Sequence, residues 1–393
     1  VTVVEKQTIK RAQKRPIATF ISFNIFKKIA TRMYHRYTKV VEAEFPRMVM
    51  HATIPMGAPL AVVFDHYRLE KQLKSEFRKP VNLFFMAGTG MTKAVWKYHI
   101  RKLFEYSEQH SELSWQIVNC VALDLVNHGD SAVENEGVLG WEFDWREGSH
   151  DLIQVAKSLK LQGDSVVIGH SMGGFQSLYS TLISPLMFKF VIAIEPVTHG
   201  GDDQNSIFIK KMLPALGDAI QTRFKSEDQY YKYMKTMSFF RKFHPEVLND
   251  FMEAEKVVNK DGTVQTKTSK EIQLICYHAG TKIFPIGLKL LSLIDSPVVL
   301  VVGEKATWTP KSNVREVNAV LKRGEFIEIP NGEHLVNGED PDSIIDIIIK
   351  SLTKNLGTKG PQEAVMDRNR YDQIFSENYA RLASEFFERK TKL

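Results

Sequence analysis

The chain has 393 residues, 43% hydrophobic and 25% charged, with a net charge of +6 and two cysteines. That length buries one large core or two modest ones, and the composition fits a globular protein. No apolar run approaches the roughly 20 residues that a membrane-spanning helix needs, the twelve histidines show no metal-ligand spacing, and Cys120 and Cys276, each inside an apolar run, read as buried free thiols rather than a disulfide framework.

The charge is uneven. Residues 1–47 hold eleven Lys/Arg against three Glu, while the remainder is slightly acidic. A basic end rather than a basic body argues against nucleic acid and for a targeting arm or a membrane-surface contact. Within it, "TFISFNIFKKIATRMYHRYTKV" (19–40) mixes Phe, Ile and Met with Lys and Arg, a composition suited to an amphipathic helix on lipid or to a solvated extension. It lacks a secretory cleavage site. Val1 stands where an initiator Met is expected, so a trimmed or missing beginning is anticipated.

Strands are expected near 49–54, 60–65, 81–86, 116–122, 165–169, 190–194, 297–302 and 326–330. The first two have no helix-length gap between them and should pair antiparallel. From 81 to 195 strand and helix alternate, the signature of a parallel, doubly wound sheet, and the later strands are uniformly apolar, as strands covered on both faces are. Between Pro196 and Ile294 strands disappear from the pattern and helical, aromatic segments such as "DQYYKYMKTMSFFRKFHPEVLNDFMEAEK" take over. The expected organisation is a basic extension (1–47), an α/β core (48–196 and 295–393) and a helical cap (197–294) over the sheet. One more amphipathic helix is expected at 361–390.

The stretch "DSVVIGHSMGGFQSLYS" (164–180) places Gly-x-Ser-x-Gly between an apolar strand and a helix. This is the nucleophile elbow, in which a tight turn presents Ser171 at the top of a sheet. In that architecture the base comes last, and "IEIPNGEHLVNGEDPDSI" supplies His334 just after the final apolar strand. The acid commonly follows the strand 297–302, but that loop reads Gly303-Glu304-Lys305-Ala306-Thr307 with no Asp. Glu195, at the end of Ile192-Ala193-Ile194, is the better choice, because a carboxylate there is costly to bury without a partner such as His334. Glu304 is the reserve. Two backbone donors are needed for an oxyanion. One is Met172, after the nucleophile; the other is Thr89 in "FFMAGTGM", where Gly88 and Gly90 let the backbone turn inward. His128 reads as ordering its own loop. In the cap, Met237, Phe239 and Phe240 are candidate acyl contacts, although most apolar side chains there are needed to pack cap helices together.

On these residues the chain resembles the α/β-hydrolase superfamily, and within it the fungal peroxisomal lipase and toxin-biosynthesis hydrolases, from about residue 60 onward. The carrying segments are "GTGMTKAVWKYHI", "NHGDSAVENEGVLGWEFDW", "VVIGHSMGGFQSL", "IEPV" and "GEHLVNGEDPD". Ala87-Gly88 replaces the His-Gly usual at the oxyanion loop. The resemblance implies an eight-stranded α/β-hydrolase fold and a cofactor-independent ester or lipid acyl hydrolase housed in peroxisomes. The C-terminus Thr391-Lys392-Leu393 departs from Ser-Lys-Leu at its first position, and it remains compatible with an import receptor; a mitochondrial or cytoplasmic location is the alternative. Thioesterase, acyltransferase and non-catalytic binding activities on the same fold stay open.

Overall fold

A computed structural model describes residues 33–70, 78–200, 207–356 and 367–390. Eleven strands are described: β1 (Tyr34–Glu42), β2 (Ala61–Leu69), β3 (Lys79–Met86), β4 (Trp115–Leu123), β5 (Asp164–His170), β6 (Val191–Ile194), β7 (Arg223–Phe224), β8 (Lys256–Val258), β9 (Val264–Thr266), β10 (Val298–Gly303) and β11 (Gly324–Ile329). The main sheet has eight, in the order β1-β2-β4-β3-β5-β6-β10-β11. Pairing is parallel from β4 to β11, and β2 runs antiparallel to both β1 and β4.

Helices cover both faces because each central strand is apolar on both. In β5, Val166 and Ile168 enter one layer with Leu83 and Phe85, while Val167 enters the other with Phe84 and Met86. That is the period-2 alternation of a strand buried from both sides. The crossovers use α1 (Lys97–Gln109) after β3, α2 (Gly129–Glu134) and α3 (Trp145–Leu159) after β4, and α4 (Met172–Ile183) after β5. Asp144 caps α3, its carboxylate accepting from the Arg146 amide at 2.9 Å.

Four expectations change. Residues 34–40, placed in an amphipathic membrane segment and in the extension 1–47, form most of edge strand β1; residues 19–32 of that stretch lie outside the described residues. The strand expected at 49–54 is bends and turns with a single bridge, Thr53 to Leu139, so β1 rather than 49–54 is the partner of β2. Strands do not vanish after Pro196: β7, β9 and β8 make a small antiparallel sheet. The last helix begins at Arg368, and its Tyr371, Phe375 and Tyr379 are exposed. No described helix is long and apolar enough to cross a membrane.

The segment between β6 and β10 rests on loops that leave the C-terminal ends of the parallel strands. Thr268 Oγ1 accepts from the Gly129 amide at 3.0 Å, and the His244 amide donates to the Gly338 carbonyl at 2.7 Å. Asn313 Nδ2 reaches the His199 carbonyl at 3.0 Å, and Trp145 Nε1 donates to the Cys276 carbonyl at 2.8 Å. The insertion is therefore tied to the end of the sheet that carries Ser171. Cys120 and Cys276 are both buried free thiols; burial pushes the Cys276 thiol up to about 12.

Candidate active site

Ser171 sits at the junction of β5 and α4 with φ of 56°, a left-handed conformation rare for a residue with a side chain. The flanking glycines let the turn close. A Cβ on Gly169 would fall 2.2 Å from the Gly173 carbonyl oxygen, and one on Gly173 would fall 2.5 Å from the Ala87 oxygen. The strand end, the helix start and the loop after β3 are thus in backbone contact, which no larger residue permits.

Three distant segments meet there. Nε2 of His334 lies 3.0 Å from Ser171 Oγ, and Nδ1 lies 3.1 Å from Glu195 Oε2. Glu195 is only 4% exposed. Its second oxygen accepts from the Gly303 amide at 2.6 Å, so both carboxylate oxygens are engaged. It too has a positive φ, 47°, which bends the chain at the end of β6 so that the carboxylate faces the His334 loop. Holding two residues in this region costs about 1–3 kcal/mol each, compensated by the surrounding packing. Glu304, the reserve acid, is elsewhere: exposed, with Oε2 accepting from the Asn331 amide at 2.8 Å.

Met172 opens α4, so its amide belongs to the first turn, where N–H groups have no intrahelical acceptor. Thr89 faces it, Oγ1 lying 3.5 Å from Met172 Sδ. The Thr89 loop is braced by His128, whose Nε2 accepts from the Gly90 amide at 3.0 Å while Nδ1 meets Asn127 Oδ1 at 2.7 Å. Burial holds His128 down to about 3, so it stays a neutral acceptor.

Two contacts around the imidazole were invisible in the sequence pattern. His170 Nε2 donates to the His334 carbonyl at 2.8 Å, tying the elbow to the base loop; burial, then the neighbouring His334, lowers it to about 3. The Trp308 ring stacks on His334, centroids 5.4 Å apart at 21°. Trp308 also walls a cavity of about 250 Å³ with Val197, Phe208, Met212 and Phe284. That cavity starts beside Ser171, because the Val197 amide donates to the Ser171 carbonyl at 3.3 Å. None of the candidate acyl contacts Met237, Phe239 and Phe240 lines it. Phe240 turns inward on Phe243 and Phe251, whereas Met237 and Phe239 are 69% and 39% exposed. Their segment does lie against the base loop, through a Lys242–Glu333 ion pair at 2.7 Å.

Among the described residues no group of three or more His, Cys, Asp or Glu could hold a metal ion. Thr391, Lys392 and Leu393 lie outside the described residues.

A profile of the alpha/beta hydrolase family matches residues 83–347. Peroxisomal membrane protein LPX1 of Saccharomyces cerevisiae is 31% identical over 336 residues, covering 80% of this chain and 86% of its own. The crystal structure of the peroxisomal alpha-beta-hydrolase Lpx1 from the same yeast superposes with a TM-score of 0.78 at 29% identity, covering 90% of this chain and 99% of that one. E-2-(acetamidomethylene)succinate hydrolase, at 14% identity and a TM-score of 0.59 over 82% of this chain and 100% of its own, shares the fold. With this sheet, this elbow and these matches, the chain belongs to the alpha/beta hydrolase family.

Proposed function

We propose that the protein is a serine hydrolase that cleaves carboxylic esters of lipid-like acyl substrates through an acyl-enzyme. The observation that carries this reading is the file of hydrogen bonds from Ser171 Oγ through His334 to buried Glu195, 3.0 and 3.1 Å long.

Ser171 Oγ attacks the ester carbonyl as His334 Nε2 takes its proton. Glu195 holds the imidazole in the tautomer that leaves Nε2 free to accept, then stabilises the cation that forms. The Met172 and Thr89 amides donate to the oxyanion. The intermediate collapses, the alcohol leaves with the proton from His334, and water repeats the sequence on the acyl-enzyme to release the acid. The cavity beside Trp308, lined by Val197, Phe208 and Phe284, supports an apolar acyl group at the nucleophile. A peroxisomal location is part of the proposal, supported by the names of the yeast relatives.

A fluorophosphonate probe is expected to label the native protein and not Ser171→Ala, with p-nitrophenyl esters of graded chain length turned over only by the former. Equal labelling of both proteins would overturn the assignment.

A further inference from the structure

The loop after β10, Gly303 to Pro310, gives the site no acid, yet it touches both the acid and the base. The Gly303 amide donates to Glu195 Oε1 at 2.6 Å, and the Trp308 ring stacks on His334. The loop is also stitched to the chain that enters His334. The Glu304 amide donates to the Ile329 carbonyl at 3.0 Å, and the Lys305 amide donates to the Gly332 carbonyl at 2.8 Å. The Asn331 amide returns a bond to Glu304 Oε2 at 2.8 Å. Gly303 and Gly332 approach so closely that a Cβ on Gly303 would overlap the Gly332 oxygen. The segment before Trp308 and the segment before His334 are therefore held as one piece.

The imidazole needs such a hold. Its two nitrogens are engaged, at 3.0 Å to Ser171 Oγ and 3.1 Å to Glu195 Oε2. Neither bond opposes tilting of the ring about the line that joins its nitrogens. A ring lying nearly parallel does oppose it, because a tilted imidazole runs into that ring. Trp308 is at 21° to His334, with centroids 5.4 Å apart. The His170 ring, 5.1 Å away, is tilted by 50°, so the flat contact comes from Trp308. The indole has a second use. A cation within about 6 Å of an aromatic centroid is attracted to the ring, and most strongly to Trp. The His334 side chain, only 15% exposed, becomes a cation once it takes the serine proton.

Trp308 is held from the cap as well. Tyr277, in the helix Lys270–Ile283, packs on it with centroids 5.8 Å apart. The same indole lines the 250 Å³ cavity with Phe208, Met212 and Phe284. A cavity wall alone would not require the near-parallel placement on His334.

We propose that Trp308 is a positioning residue that seats the His334 imidazole and stabilises its cation, in addition to walling the cavity. This rests on the reading of Ser171, His334 and Glu195 as the working groups of a hydrolase.

The test is hydrolysis of p-nitrophenyl acetate and p-nitrophenyl octanoate by the full chain, by Trp308→Ala and by Trp308→Phe. Each rate is divided by the sites that a fluorophosphonate titrates, so that misfolded protein is not counted. The acetyl group is too short to fill the cavity. The expected result is that Trp308→Ala lowers kcat on both esters by about ten-fold, with the KM for acetate close to native, the pattern of an interaction made in the transition state. Trp308→Phe, which keeps a flat ring, should recover most of that loss. A native kcat on acetate in Trp308→Ala, with only the octanoate KM raised, would make the indole a cavity wall and overturn the proposal. So would a Trp308→Phe protein as slow as Trp308→Ala. A native protein that takes no label and turns over neither ester would overturn the hydrolase reading, and this inference with it.

Discussion

Two histidines, His334 in the loop after β11 and His66 in the middle of β2, each have a ring nitrogen set by a neighbouring side chain, and the neighbours differ. At the elbow end, His334 Nδ1 meets the Glu195 carboxylate at 3.1 Å. In β2, His66 Nε2–H donates to the Asn119 side-chain oxygen at 2.8 Å, with Lys39 and Arg68 nearby. A carboxylate stabilises the imidazolium, so the first ring is suited to taking a proton. Around the second ring burial disfavours that charge, with Lys39 and Arg68 adding to it against the Asn119 hydrogen bond, so the ring is held toward its neutral form. The choice of a single neighbour, carboxylate or amide, thus sets the two rings apart.

The largest expected effect comes from giving the first ring the second ring's kind of neighbour. Glu195→Gln puts an amide against His334 and is expected to lower kcat on a p-nitrophenyl ester by about 10³–10⁴-fold. Glu304→Gln, which touches Asn331 rather than the imidazole, should leave the rate within about two-fold of native. Steady-state kinetics of the two variants side by side separate the acids, and a large loss in the Glu304 variant would contradict the difference drawn here.

A smaller effect sharpens the comparison through pH. The neutral histidines His170 and His128 are held at about 3, and His99 at about 4, chiefly by burial. Unfolded, they titrate near 6.5. The unfolded chain therefore binds protons that the folded chain refuses. The stability these groups contribute is fully present above about pH 6.5 and is lost as pH falls toward 3–4. Denaturant midpoints measured from pH 7 to 4 should fall, and His170→Asn should fall less steeply. An unchanged slope would mean that His170 is not kept neutral by the fold.

Ser171, His334 and Glu195, which the structure brings together, were each legible in local sequence. Gly169 and Gly173 announce a turn in which no side chain fits, and Glu195 ends an apolar strand where a lone carboxylate would be costly. The His334 loop follows the final strand. Edge strand β1 was hidden because its Arg36, Lys39 and aromatic residues share the composition of the basic segment before it. Only pairing with β2, including Thr38 to Asp65 at 2.7 Å, gives those residues their places. Strands β7, β8 and β9 are two or three residues long, too short to show a period. Trp308 on His334, His170 on the His334 carbonyl and the His66–Asn119–Asn82 chain join residues far apart in sequence, and no local pattern encodes such contacts.

In the proposed reaction Ser171 and His334 act as one unit. A double-mutant cycle on ester turnover tests it most directly, using Ser171→Ala, His334→Ala and the pair together. The account predicts that each single change costs about 10⁴-fold or more and that the double costs little beyond either one, since a nucleophile without its base, or a base without its nucleophile, is already idle. Losses that multiply, or a His334→Ala protein that retains native turnover, would contradict it.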